Sequence, residues 1–215
     1  MAPSELALYG SGAEVEGQSF RQVSNGVFEV YAKLKEGSLS FRSSDKNYFL
    51  DADKGLLQGD GEGVTAASGD NVTRITVNFQ DNTVKFEQIS KVRCVFAANY
   101  ADLMDISYIG NGKWEGEGVI NFLQPGTFDW LTWVEERYYF IVTIDGVEKC
   151  WGRKDSVSGN DLKPSDEIDF YDIQESSWSQ WDHCWKFAGE MNGATVHILI
   201  DSNKDGIMTH VVTKK

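Results

Sequence analysis

Seven tryptophans lie between positions 114 and 185 of this 215-residue chain, and none precedes them. An indole ring presents a flat apolar face with negative electrostatic character. That face complements the C–H-bearing side of a pyranose, while neighbouring Asp, Asn, Lys and Arg orient the hydroxyls. Trp130 and Trp133 fall in the segment Gln124 to Glu136, which has no counterpart in the first half of the chain, so a shared core cannot need them and they are expected as exposed platforms. Trp151 closes a strand opposite Phe140, where packing and ligand contact weigh equally. Trp178, Trp181 and Trp185 stand three and four apart, a spacing that sets them along one side of a short helical turn. Such a stripe is more often packing, with one ring left facing out. Trp114 sits on an alternating strand and is expected in the core.

The polar half of such a site is sought beside these rings. Arg153, Lys154, Asn160, Asp161 and Lys163 occupy the stretch from Gly152 to Glu175, which is acidic, rich in Ser, Asp and Gly, aperiodic, and therefore expected as a long surface loop. Asp51 to Gly69 is its shorter counterpart. Other chemistry finds less support. Asp201-Ser202-Asn203-Lys204-Asp205-Gly206 has the first half of a calcium-loop pattern, but its twelfth position is Val212, so a hairpin turn is the better account. His197 and His210 flank that turn without a third metal ligand. No nucleophile elbow, phosphate-cradling glycine loop or dinucleotide fingerprint occurs, and nothing selects a catalytic pair from the 33 carboxylates. Neither a catalytic residue nor a cofactor nor a bound metal is expected.

The net charge of −13 disfavours nucleic acid and anionic membrane surfaces, which gain no phosphate contacts from so acidic a protein. Neutral or cationic ligands are favoured. The three cysteines, Cys94, Cys150 and Cys184, show neither zinc-knuckle spacing nor an even count, and are expected as buried free thiols.

The chain also repeats itself. Asn25-Gly26-Val27-Phe28-Glu29 recurs as Asn111-Gly112-Lys113-Trp114-Glu115, and the same offset carries Leu6 and Leu8 onto Val92 and Cys94. Val72 to Phe79 matches Thr195 to Ile200 at a larger offset, so the second copy is longer by roughly 35 residues, and such surplus falls in loops. Period-2 alternation dominates, as in Phe28, Val30 and Ala32, and Asp145-Gly146 marks a two-residue turn between Tyr138 to Ile144 and Val147 to Trp151. With 21 glycines and three prolines, this predicts an all-β chain of two tandem immunoglobulin-like β-sandwich domains, 1–90 and 91–215. The second copy is the expected binder and the first a spacer or degenerate binder.

Leu6-Ala7-Leu8-Tyr9-Gly10-Ser11-Gly12, the Asn-Gly-x-aromatic strand, Leu39-Ser40-Phe41-Arg42, the aromatic Tyr48, Gly59-Asp60-Gly61 and Gly69-Asp70-Asn71 form a pattern that resembles the repeat domains of SusE/SusF-type glycan-binding lipoproteins. Arg137-Tyr138-Tyr139-Phe140 and Trp151 continue it in the second copy. The resemblance implies tandem sandwiches on the outer-membrane surface, tethered through a lipid anchor that this chain lacks. They would hold starch or another polysaccharide or oligosaccharide for an outer-membrane transporter and other glycan-binding lipoproteins, without catalysis. It also makes Tyr48 the first copy's equivalent of Trp151. The competing expectation is a structural or adhesive surface protein, because exposed aromatics also anchor protein partners.

Overall fold

The computed structural model describes residues 2–65, 67–154, 171–177 and 180–215. Its strands are β1 (Ala7–Tyr9), β2 (Gln18–Ser19), β3 (Arg21–Ser24), β4 (Val27–Ala32), β5 (Gly37–Arg42), β6 (Asn47–Asp51), β7 (Gly55–Gln58), β8 (Gly63–Thr65), β9 (Val72–Asn78) and β10 (Thr83–Phe96). They continue with β11 (Asp102–Gly110), β12 (Lys113–Ile120), β13 (Arg137–Ile144), β14 (Val147–Arg153), β15 (Ile173–Ser176), β16 (Trp185–Lys186), β17 (Ala194–Lys204) and β18 (Ile207–Lys214). The protein is all-β with antiparallel pairing, as the alternation of β-branched and aromatic residues requires.

The chain divides into two compact units close to the boundary expected at Ser90. The first holds residues 1–90 together with 108–113 and 202–207; the second holds 91–107, 114–201 and 208–215. In the first unit one sheet runs β2-β1-β5-β6-β7 with β8 on β5, and the other joins β3, β4, β9 and the start of β10. Leu8, Phe41 and Tyr48 from one sheet meet Phe28, Val30, Ile75 and Val77 from the other in a single buried cluster. The arrangement is therefore sandwich-like. In the second unit the strands follow the order β15-β14-β13-β10-β11-β12-β17-β18, with β16 on β13.

The sequence duplication is visible as repeated pairing. β3-β4-β9-β10 in the first copy corresponds to β11-β12-β17-β18 in the second, and β6-β5-β1 to β14-β13-β10. Asn25-Gly26 and Asn111-Gly112 turn equivalent hairpins, with Gly26 and Gly112 both at φ 71, where a side chain is strained. The strands that follow bury Phe28 and Trp114. Asp145-Gly146 makes the expected tight turn, so that Ile144 faces Val147 and Phe140 faces Trp151. Asp205-Gly206 likewise turns β17 into β18, and Asn203 Oδ1 accepts from the Gly206 N–H at 3.0 Å. Two loop expectations are corrected. Asp51 to Gly69 contains β7 and β8, and the stretch from Gly152 to Glu175 contains the end of β14 and the start of β15. Backbone pairing supplies these strands where Gly and Asp leave no side-chain periodicity.

The second core is unusually aromatic. His210 is enclosed by Tyr138, Phe140, Tyr171 and Trp185, with the Trp185 ring centroid at 4.3 Å. Its Nδ1 donates to the Tyr171 carbonyl at 2.9 Å, which leaves Nε2 to accept from the Tyr138 hydroxyl at 2.7 Å. Burial holds this imidazole neutral and lowers its pKa to about 3. Above the ordinary histidine pKa neither folded nor unfolded chain is charged here, so the full stability is present. As pH falls below about 6.5 the unfolded chain takes up the proton first, and stability drops by up to about 1.4 kcal/mol per pH unit until the folded value is reached. Urea unfolding at pH 7 and pH 4.5 checks this. The loss on acidification is expected to be smaller in His210→Gln, and an equal loss in both proteins would refute the assignment.

All three cysteines are buried free thiols. Burial pushes Cys150 and Cys184 up to about 12 and raises Cys94 further still.

Candidate functional site

The inserted segment forms a closed loop. Leu123 and Glu135 exchange backbone hydrogen bonds of 3.0 and 2.9 Å, pinching the chain on either side of residues 124–134. Inside it, Gln124-Pro125-Gly126-Thr127 makes a turn closed by Thr127 N–H to the Gln124 carbonyl at 3.0 Å, with Gly126 at φ 86. Proline followed by a left-handed glycine is the type II signature. Leu131 is the loop's apolar anchor at 1% exposure. The indoles on either side of it turn outward: Trp130 is 47% exposed and Trp133 43%.

These rings form a cluster. Phe128 stacks on Trp130 at 5.3 Å and 14°, while Trp133 lies 5.9 Å from Trp130 with a 54° tilt. Trp181, half-buried, meets Trp130 nearly at right angles at 6.0 Å. The Arg137 guanidinium sits 4.4 Å over the Trp181 ring, the distance of a cation–π contact. Asp129, Thr132 and Asp182 stand exposed beside the rings in the chain.

A single buried carboxylate holds this arrangement in place. Glu135, 1% exposed, accepts from Arg137 Nε at 2.8 Å and from Trp133 Nε1 at 2.7 Å, with further bonds from the Glu136 and Arg137 backbone N–H groups. Its second oxygen also takes Arg137 Nη2 at 2.5 Å. Burial works to raise its pKa, but the Arg137 and Trp133 hydrogen bonds outweigh it and hold the carboxyl below its usual range. This stabilisation is present above the unfolded glutamate pKa and is lost as pH falls through the lowered one. Glu135→Ala strands Arg137 and frees both Trp133 and Trp181. It is expected to cost about 2 to 3 kcal/mol in a urea titration and to flatten the near-UV tryptophan circular dichroism. An unchanged near-UV spectrum would show that Glu135 does not orient the rings.

The other expected site residues lie elsewhere. Trp151 is fully buried, edge-to-face on Trp114 at 5.5 Å, and its Nε1 donates to Glu175 at 2.9 Å. A ring without a free face cannot stack on a ligand. Tyr48 is 6% exposed and packs on Phe79 at 4.8 Å, so it too is core. Arg153 ends β14, where its backbone N–H donates to His183 O at 2.7 Å, and the Lys154 ammonium meets Asp172 at 3.5 Å. Trp185 is a buried residue of β16, which corrects the expected helical turn at that position. Trp178, Asn160, Asp161 and Lys163 lie outside the described residues. Of the eight predicted ligand residues, Trp130, Trp133 and Trp181 come together. Phe128, Glu135 and Arg137 were missed as site residues, although Pro125-Gly126 marks a tight turn in the same segment. The two histidines of the β17–β18 hairpin have separate partners, His197 meeting Glu115 at 3.0 Å.

Among the described residues no helix is long and apolar enough to cross a membrane. A comparison with protein-family models gave no match, and a search of curated proteins likewise found none.

Proposed function

We propose that this chain is a non-catalytic carbohydrate-binding protein, which holds a polysaccharide against the Trp130, Trp133 and Trp181 cluster. The observation that carries this reading is the pair of half-exposed indoles on a closed loop that the duplicated scaffold does not need. Exposing two tryptophans forgoes the burial that Trp114, Trp151 and Trp185 have, and the tilted rings offer apolar faces to the C–H side of a sugar. Exposed carboxylate and hydroxyl side chains at Asp129, Thr132 and Asp182 supply acceptors and donors for its hydroxyls. The acidic charge suits a neutral or cationic glycan. The wider reading places two immunoglobulin-like sandwiches in a SusE/SusF-type uptake system on the outer-membrane surface, anchored by lipid in a longer precursor and working beside a transporter.

Affinity electrophoresis of the chain through gels cast with amylopectin, mixed-linkage β-glucan, levan, mannan or mucin glycans tests the proposal. Retardation by one of these is the expected outcome. Retardation by none, together with capture of a protein partner that requires Trp130, establishes the second reading, an adhesive protein-binding face. That reading draws on Val134, 44% exposed beside Trp133.

A further inference from the structure

The first unit has a cleft of its own, about 720 Å³, within the range of small-ligand sites. Leu6, Phe20 and Phe28, core residues of this unit, lie buried beneath it. Glu5, Gln22, Arg42 and Asp205 give it a polar lining. The Arg42 guanidinium lies 4.3 Å over the ring of Tyr9, another lining residue. Among the described residues the Arg42 guanidinium has no carboxylate partner and donates no hydrogen bond, although Glu5 and Asp205 line the same cleft. The guanidinium is exposed to water and stacked on the ring, with its donors open to a ligand's oxygens. Asn203 Nδ2 donates to the Ser19 carbonyl at 3.2 Å, tying two parts of the lining together.

This lining selects a class of ligand. An anion would gain from Arg42 but meet Glu5 and Asp205, and a cation would face the reverse. A hydroxyl group both donates and accepts, so it satisfies all three. We infer that this cleft is a second binding site for an uncharged, polyhydroxylated compound, with Arg42 as its principal donor. The inference rests on the carbohydrate-binding reading and changes the role of the first copy from spacer to receptor, making the chain bivalent toward a polymer. Two weak sites on one chain raise retention well beyond either alone when both reach the same polymer.

The test compares four full-length proteins in a gel containing the polysaccharide that retards the wild type: wild type, Arg42→Ala, Trp130→Ala/Trp133→Ala, and the triple variant. Arg42 is exposed, so its loss leaves the fold intact, checked by an unchanged far-UV spectrum and melting temperature. Arg42→Ala and the double tryptophan variant are each expected to bind about tenfold or more weakly than wild type. The double variant retains some retardation that the triple variant loses. Wild-type migration by Arg42→Ala, or complete loss of retardation in the double tryptophan variant, overturns the second site while leaving the first standing. Failure of every polysaccharide to retard the wild type overturns both, and is read in the first lane.

Discussion

Replacing Trp130 and Trp133 together with alanine is expected to weaken polysaccharide binding by the second unit about a hundredfold, with a modest loss of stability. The two rings are 47% and 43% exposed, so nearly half of the surface they lose was already in water. Their stacking on a ligand is worth about 3 kcal/mol together, which is the hundredfold factor. Losing their contacts with Phe128 and Trp181 and the Trp133 bond to Glu135, which keeps Arg137 and two backbone donors, costs about 2 kcal/mol of stability. Isothermal titration against the retarding glycan, with thermal melts alongside, measures both quantities. Undiminished affinity would remove the cluster from the site.

Trp151→Ala has the opposite profile. This ring is wholly buried, lies 5.5 Å from Trp114, faces Phe140 across the β13–β14 pair and donates to Glu175. Truncation leaves a cavity the size of an indole and an acceptor without its donor, a loss of about 4 kcal/mol. That is a large share of the 5 to 15 kcal/mol by which ordinary domains are stable. Chemical denaturation is expected to show the loss of structure around Trp151 at a much lower urea concentration than in wild type. A transition shifted by less than about 1 kcal/mol would contradict the packing described.

The contrast between these tryptophans explains what the sequence could and could not disclose. Alternation and turn chemistry made the strands legible, including the pairing of Phe140 with Trp151, because both depend on neighbours along the chain. Whether an alternating aromatic faces a core or water depends on what covers its side of the sheet, which is a long-range matter. Trp151 and Tyr48 were therefore open to either role until the fold was known. Trp130 and Trp133 were legible for a different reason: comparing the two copies showed that the scaffold works without them. Arg137 escaped notice since its role comes from Glu135 and Trp181, the latter more than 40 positions away in the chain. The three-and-four spacing of Trp178, Trp181 and Trp185 suggested a helix, yet Trp185 belongs to a two-residue strand fixed by pairing with Tyr138.

The buried thiols bear on how this protein can be handled. With Cys94, Cys150 and Cys184 shielded and held protonated, maleimides and iodoacetamides find no thiolate to attack at neutral pH. A cysteine introduced at the exposed Thr132, between the anchor Leu131 and Trp133, would then be the sole point of attachment. A fluorophore coupled there sits beside the indoles and would report ligand arrival as a change in quenching. The native chain thus serves as a cysteine-silent background for a sensor, with none of its own thiols removed.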